Sequence, residues 1–235
     1  MGTIVNVMAV IVGTLIGIIF KRGLSDKIQK ALMFALGIGL FAVATGWFIQ
    51  GFLTVQDGVL ASRHDLLIIL SLVIGTLLGE WLDIDGRLHT LAQRVEKKYH
   101  LPPLAKGFVA GTLIFCVGAM AILGPIQDGL GQGMTILLVK SALDFVTAMM
   151  LAVVFGIGVA LAAFSVLIYQ GGIHLLATQA DAFLSTDMIE TLSMVGYVLL
   201  IAIGIKFMEL KDVKVANMLP SLLVPLLYFF LMGLF

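Results

Sequence analysis

Two charged side chains, Lys140 and Asp144, stand inside an otherwise apolar stretch over residues 133–154. At 1.5 Å per residue, Asp144 would lie roughly 16 Å into a helix over this stretch, near the centre of a bilayer. A charge at that depth costs about 2.5–3.5 kcal/mol on insertion scales. Because residues four apart share one helix face, the two side chains can pair. We interpret the pair as a candidate binding site, with a purely structural ion pair facing the bundle interior as the alternative.

A glycine-rich segment, Gly124-Pro-Ile-Gln-Asp-Gly-Leu-Gly-Gln-Gly133, comes directly before this stretch. Its four glycines and one proline predict a departure from regular helix. We expect either an external loop or a broken, re-entrant segment that lines an aqueous cavity, a form that transporter sites take. In the second case Gln127 and Asp128 would supply ligands.

A third polar motif ends a later apolar stretch, at Tyr169-Gln-Gly-Gly-Ile-His174. Gln170 and His174 are one turn apart and share a helix face. A membrane histidine can also simply hydrogen-bond at an interface, and that alternative stays open. The predicted substrate-binding residues are Gln127, Asp128, Lys140, Asp144, Gln170 and His174.

Glycines spaced four residues apart recur in the apolar stretches. They are Gly13 and Gly17, Gly75 and Gly79, and Gly107 and Gly111. This spacing lets two helix backbones approach closely, so we predict a helix-packing role. Asn6 lies within about 20° of the first pair around a helix, and we expect its amide to bond a neighbouring helix. Because short helices enclose little space, we also expect a homo-oligomer packed through the glycine faces.

The elements that must position these residues are membrane-spanning helices. Hydrophobic residues make up 60% of the 235 residues and charged residues only 12%, against roughly 25% charged in soluble domains. The mean hydropathy is +1.13. The apolar runs approach the ~20 residues that cross a bilayer. The predicted spans are 3–20, 31–52, 65–82, 104–124, 133–154, 157–178, 190–207 and 219–235. The fold class is therefore an all-α, polytopic transmembrane bundle, with residues 1–235 forming one integral membrane domain in the lipid bilayer.

Loop charges predict the orientation, because Lys and Arg stay on the cytoplasmic side. They concentrate in the loops after the first, third and seventh spans. Eight spans with both termini outside place all three loops inside. Two of these loops also show helical apolar spacing and are predicted to form short amphipathic helices. Their apolar residues are Leu24, Ile28, Ala31 and Leu32 in the first, and Leu88, Leu91, Ala92 and Val95 in the second.

One apolar motif occurs twice in the first half, residues 1–100, as Val10-Ile-Val-Gly-Thr-Leu-Ile-Gly17 and Leu72-Val-Ile-Gly-Thr-Leu-Leu-Gly79. A duplicated hairpin unit or chance similarity of apolar sequence would explain it. The second half, 101–235, carries the polar motifs. HExxH, GxSxG, P-loop and Cys/His-cluster patterns are absent from the sequence. With a formal charge of zero and one cysteine, Cys116, we expect no enzyme activity, metal, cofactor or nucleic-acid partner.

Several strings resemble the YdfK/YqgA-like bacterial membrane proteins, a domain-of-unknown-function family (number 554). They are Gly111-Thr-Leu-Ile-Phe-Cys-Val-Gly-Ala-Met-Ala-Ile122, Gln127-Asp128-Gly129, Lys140-Ser-Ala-Leu-Asp144, Tyr169-Gln-Gly171 and Lys214-Val-Ala-Asn-Met-Leu-Pro220. The resemblance covers essentially the whole chain. It implies a multi-pass protein of the bacterial plasma (inner) membrane and names no substrate. Phe145 departs from the small residue expected after the Lys–Asp motif.

The costly intramembrane charges and the adjacent glycine-rich segment together favour a transporter or channel for a small solute or ion. The alternative is a non-transporting scaffold or regulator that acts through helix packing and cytoplasmic loops.

Overall fold

The structure, a computed structural model, describes residues 1–21, 25–56, 58–87, 90, 94, 104–116, 119–180 and 185–232. Its longer helices are α1 (Gly2–Lys21), α2 (Asp26–Phe52), α3 (Asp65–Leu82), α4 (Ala105–Cys116), α5 (Ala119–Gly129), α6 (Thr135–Phe155), α7 (Gly158–Ala180), α8 (Thr186–Phe207) and α9 (Leu223–Met232). A 3₁₀ helix, Val215–Leu222, leads into α9, and two short strands, β1 (Leu53–Gln56) and β2 (Val59–Ser62), follow α2.

The predicted transmembrane helical fold is confirmed. Seven helices among the described residues are long and apolar enough to cross a membrane, or eight when α4 and α5 count as one broken span. Large apolar side chains point outward. Among them are Ile19, Trp81 and Phe164, which are 70%, 81% and 65% exposed. Such a surface suits lipid, and helices satisfy every backbone hydrogen bond that lipid cannot.

A β-hairpin between α2 and α3 was not predicted. β1 and β2 pair antiparallel, with Gln56 opposite Val59, and Gly58 has a φ of 78°. Its sequence signal is the Asp57-Gly58 dipeptide, which is typical of a two-residue hairpin turn. The hairpin lies in the connection between the predicted spans 31–52 and 65–82, for which no secondary structure was predicted.

Two other predicted boundaries differ. Residues from Asp26 onward belong to the continuous helix α2, so the first predicted amphipathic stretch is not a separate helix; its Leu24 lies outside the described residues. The apolar residues that define the second predicted stretch, Leu88 to Val95, also lie outside the described residues. The predicted last span begins as a 3₁₀ helix, in which Asn217 is buried and accepts a hydrogen bond from the Asp85 backbone N–H at 2.7 Å.

The chain divides into two compact units, and each draws on both parts of the sequence. Unit 1 comprises Met1–Met33 and Leu88–Ala182, and unit 2 comprises Phe34–Arg87 and Phe183–Phe235. The division therefore does not follow the two sequence halves. Every polar residue predicted to bind substrate lies in unit 1.

In unit 1, α1 runs parallel to α6 along a close seam. A Cβ atom on Gly13 would lie 3.2 Å from Ala148 Cβ and against the Phe145 carbonyl. One on Gly17 would lie 2.9 Å from Ala152 Cβ. Contacts at or below these distances exclude any side chain larger than hydrogen at the two positions. The step from Gly13 to Gly17 on α1 corresponds to the step from Ala148 to Ala152 on α6, so the two helices run parallel.

The bent pair α4–α5 follows α7 over nearly its whole length. A Cβ atom on Gly107 would lie 2.9 Å from the Val159 nitrogen, near the start of α7, and one on Gly129 would lie 2.7 Å from Ala177 Cβ, near its end. The two short helices differ by 63° in direction. Because α7 itself is long enough to span, a pair that accompanies it from end to end is a broken span and not a re-entrant loop.

The position of the break corrects the prediction for 124–133. Gly124 to Gly129 is helical and contains Pro125 within α5; only residues 130–134 are irregular. A proline removes one backbone donor, but the helix continues for another turn beyond it. The change of direction instead falls between α4, which is described to Cys116, and α5, which is described from Ala119.

In unit 2, the glycines of α3 pack against the 3₁₀ helix. Cβ atoms on Gly75 and Gly79 would collide with Ser221 and the Asn217 carbonyl, respectively, so the two segments run antiparallel. The two copies of the sequence motif therefore pack against different neighbours, α6 in unit 1 and the 3₁₀ helix in unit 2.

Helix directions within each unit give a second argument for eight crossings. Helices separated by an odd number of crossings run parallel, and α1 and α6 are separated by three when α2, α3 and the α4–α5 pair each cross. In unit 2, the 3₁₀ segment that begins the final span runs antiparallel to α3, as an even number of intervening crossings requires. A re-entrant α4–α5 pair would reverse both relations.

Candidate functional site

The Lys140–Asp144 pair lies at the middle of α6, as the spacing predicted. Lys140 Nζ is 2.6 Å from Asp144 Oδ2, and the two side chains are 7% and 8% exposed. Asp144 lies about 14 Å from the start of α6 at 1.5 Å per residue. Two formal charges are therefore held together at the depth where solvation by lipid is weakest.

Two amides from other helices complete this group, which we call the central cluster: Asn6, Lys140, Asp144 and Gln170. Asn6 on α1 donates through Nδ2 to Asp144 Oδ2 at 3.0 Å and to Gln170 Oε1 on α7 at 3.2 Å. Both amide side chains are fully buried. The central cluster thus joins three helices of unit 1 through hydrogen bonds.

A second polar group, the end cluster of Asp128 and His174, lies one helical turn away along α7. Asp128 Oδ2 is 3.3 Å from His174 Nδ1, an approach that does not meet hydrogen-bond geometry. The same oxygen accepts from the Gly2 backbone N–H at 3.0 Å and lies 2.9 Å from the Met1 amino group. Gln127 precedes Asp128 on α5, and its Oε1 is buried. Asp128 therefore connects α5 to the start of α1 and to α7.

Several buried polar atoms in these clusters have no hydrogen-bond partner among the described residues. They are Thr3 Oγ1, Asn6 Oδ1, Gln127 Oε1, Gln170 Nε2 and His174 Nδ1. Leaving one such atom unpaired costs about 1–3 kcal/mol. Repetition of that cost within one small region is typical of a site that binds water, an ion or a polar solute.

Both hydrogen bonds of the Asp144 carboxylate converge on Oδ2, from Lys140 and Asn6. The site combines a carboxylate, an ammonium, an unpaired amide acceptor and an unpaired amide donor. That set can bind a polar solute through charge and hydrogen bonds, or transfer a proton. Groups of three or more His, Cys, Asp or Glu side chains suited to a metal ion are absent from the described residues.

The predicted residues thus fall into two neighbouring clusters of one unit, with Lys140, Asp144 and Gln170 in the central cluster and Asp128 and His174 in the end cluster. Asn6 was predicted to pack and to bond a neighbouring helix, and it does bond two helices, but it was not placed among the binding residues; Thr3 was overlooked. The signal for Asn6 was available, because an amide inside an apolar helix needs a partner. Thr3 carried no comparable signal, since a threonine near a helix start is common.

The predicted glycine faces are covered by the same chain. Gly13 and Gly17 face α6, and Gly111 lies where a Cβ would be 2.8 Å from Ala162 Cβ of α7. Gly75 and Gly79 face the 3₁₀ helix. These surfaces therefore give no support to packing between subunits, and the homo-oligomer stays a prediction that another surface would have to satisfy.

The helices and buried polar core define a polytopic α-helical membrane protein. The chain belongs to the family described as "Protein of unknown function (DUF554)", whose model matches residues 1–230.

Two relatives have similar length. The chain is 35% identical over 234 residues to "Uncharacterized membrane protein YdfK" of Bacillus subtilis (strain 168), covering 100% of this chain and 97% of that protein. It is 26% identical over 230 residues to "Uncharacterized protein YqgA" of Escherichia coli (strain K12), covering 95% and 93%. No solved structure matches.

Proposed function

We propose that this protein is a transporter or channel for a small solute or ion, and that the central cluster is its binding site. The observation that supports this most strongly is the buried Lys140–Asp144 pair at mid-helix, beside unpaired amide atoms of Asn6 and Gln170. Ionisable groups at this depth are rare and are typical of substrate or ion pathways.

The broken span supports the same proposal. Discontinuous helices near the bilayer midplane form binding sites in many transporters, because their free backbone ends can contact an ion or polar group. Here the break between Cys116 and Ala119 falls within the pair of helices that packs along α7. Both α4 and α6 belong to unit 1 and pack against α7, so the end of α4 lies in the same unit as the central cluster.

The proposed location is the bacterial plasma membrane. The named relatives come from bacteria, and outer-membrane proteins are typically β-barrels rather than helical bundles. We also propose that the chain is not an enzyme. A scaffold role remains the second candidate of the sequence analysis, but its intended glycine surfaces are occupied within the chain.

A ligand screen tests the site directly. Purified protein in detergent is heated with chloride salts of Li⁺, Na⁺, K⁺ and Mg²⁺, with amino acids, and with small carboxylates. A ligand at 100 times its Kd stabilises the folded state by about 2.7 kcal/mol, which raises the melting temperature measurably. We expect at least one compound to do so for the wild type and not for a Lys140→Met/Asp144→Leu variant.

The matched control is Ser193→Ala, which changes a buried polar residue of α8 whose hydroxyl bonds its own helix at 2.7 Å. It should keep the wild-type response. A compound that shifts the double variant as much as the wild type would show that binding occurs outside the central cluster. Flux of a confirmed ligand into liposomes then separates transport from binding alone.

A further inference from the structure

The unpaired polar atoms of unit 1 lie in order along the helices. Asp128 bonds the backbone of Gly2, and Asn6, one turn further along α1, bonds both Gln170 and Asp144. On α7 the order is reversed, from His174 near Asp128 to Gln170 near Asn6. The polar groups therefore follow one path, from the beginning of α1 to the middle of α6.

Along α1, Thr3 lies between Gly2, which bonds Asp128, and Asn6, which bonds Asp144. It precedes Asn6 by about 4.5 Å along the helix axis, is 6% exposed, and its hydroxyl oxygen has no partner among the described residues. His174 Nδ1 and Gln170 Nε2 flank the same interval on α7 and are likewise unpaired. A file of water molecules bridging these atoms would satisfy all of them, since buried water typically makes about three hydrogen bonds.

Beyond Asp144 the same two helices, α1 and α6, are closely packed. Val10, Thr14, Ala148 and Ala152 are all fully buried, and Gly13 and Gly17 bring the two backbones together. The Thr14 hydroxyl donates to the Val10 carbonyl of its own helix at 2.8 Å. Among the described residues of this seam, every unpaired buried polar atom lies on the α1 N-terminal side of the seam or level with Asp144.

We propose that this path is a proton half-channel, which carries protons from the α1 N-terminal side to Asp144 and stops there. This inference rests on the proposed function and makes the proton its coupling ion. A hydronium ion in the file would transfer its proton to the Asp144 carboxylate, leaving a neutral carboxyl group and water. The neutral carboxyl group is no longer an ionic partner for Lys140, so protonation weakens the link within the central cluster.

A proton suits this path better than a larger solute. Asn6 Nδ2 bridges Asp144 and Gln170 at 3.0 and 3.2 Å, so the side chains themselves occupy the path. Water molecules beside these side chains can pass a proton along their own hydrogen bonds, while the Asn6 amide nitrogen, which only donates, holds Asp144 and Gln170 in place. A larger solute would have to displace Asn6 first.

The ionisable groups around Asp144 determine how it titrates. The helices that pack there contribute Lys140 from α6, Cys116 from α4, His174 from α7 and Asp128 from α5. α1 contributes the uncharged Asn6 amide. Lys140 is the immediate partner, and the two end-cluster residues lie at the opposite end of the path.

Infrared spectroscopy can detect the proton on Asp144 without a known substrate. Protein in lipid nanodiscs, where both faces meet buffer, is acidified stepwise, and the carbonyl band of a protonated carboxyl group is followed. We expect a band in the wild type that disappears in Asp144→Asn. After a rapid pH drop, Thr3→Val should slow the rise of this band at least tenfold, whereas Thr14→Val should leave its rate unchanged.

The two threonine variants form a pair, because both remove one buried hydroxyl from α1, on opposite sides of Asp144 along the helix; the Thr14 hydroxyl bonds only its own helix, whereas Thr3 has no partner among the described residues. Thr3→Ser restores the hydroxyl and should restore the wild-type rate, which separates a lost relay from a folding defect. Equal rates in Thr3→Val and Thr14→Val would overturn the path. If no Asp144-dependent band forms at any pH at which the protein stays folded, the proton proposal fails, while a ligand found by the thermal screen would still support solute binding at the central cluster.

Discussion

Separating the two charges of the central cluster should be far more damaging than removing both. In Asp144→Leu, the buried Lys140 ammonium is left without its carboxylate, and Asn6 loses one of its two acceptors. Removing one partner of a buried ion pair costs about 3–5 kcal/mol. Lys140→Met should cost a similar amount, because it leaves the carboxylate with only the Asn6 amide.

The double variant Lys140→Met/Asp144→Leu replaces the pair by apolar side chains of similar size. Such replacements are often neutral or stabilising by about 1–4 kcal/mol. If each single change costs about 3 kcal/mol and the double change no more than about 1, the coupling energy is about 5 kcal/mol or more. Unfolding in mixed micelles, followed by circular dichroism during an SDS titration, measures all four proteins on one scale.

The exposed pair Lys214–Glu80 provides the control cycle. Its atoms are 3.8 Å apart and its side chains are 55% and 50% exposed, so its coupling should stay below about 1 kcal/mol. Additivity within about 0.5 kcal/mol in the central cycle would refute the reasoning, because it would mean that Lys140 and Asp144 do not depend on each other. A stable double variant that keeps full ligand binding would instead leave the pair structural and remove it from the proposed site.

Three further predictions concern topology, packing and the surface. In a Cys116→Ser background, cysteines at Leu60 and Asp212 should react with an impermeant thiol reagent from opposite sides of the membrane, and reaction from the same side would mean that the α4–α5 pair does not cross. Gly79→Leu should lower the melting temperature or prevent folding, because a side chain there meets the Asn217 carbonyl; Gly46→Leu, where nothing lies within 4 Å, should not, and equal effects would contradict the packing argument. Arg63→Ala breaks two partly exposed ion pairs with α8 and should lower the free energy of unfolding in SDS by less than about 1 kcal/mol. A larger loss would contradict the argument that exposed ion pairs contribute little.

Helix positions were the most predictable part of the fold. The predicted span 65–82 coincides with α3, and 157–178 lies within two residues of α7. Long apolar runs in lipid have one regular way to satisfy their backbone hydrogen bonds, so their extents can be inferred from composition. The hairpin and the 3₁₀ helix were missed because short elements depend on turn residues that apolar flanks conceal.

The candidate site was predictable only where its geometry is local. The Lys140–Asp144 contact follows from helical spacing on α6 alone. Its links to Asn6 and Gln170 depend on which helices are neighbours, and residues 138 and 164 positions apart carry no local trace of that. The displaced position of the break relative to 124–133 has the same origin, because glycine at 124 and 129 serves contacts with α6 and α7 rather than a turn.

Those glycine contacts connect the broken span to the proposed chemistry. A Cβ on Gly124 would lie 2.9 Å from the Leu137 side chain, and one on Gly129 would lie 2.7 Å from Ala177, so α5 is held against α6 and α7 on either side of Asp128. That packing fixes Asp128 next to His174 at one end of the polar path. α5 takes a direction 63° from α4, and in this direction it stays against α7 and carries Asp128 to the position beside His174. The second half of the broken span therefore supplies the acidic group at the end of the path that leads to Asp144.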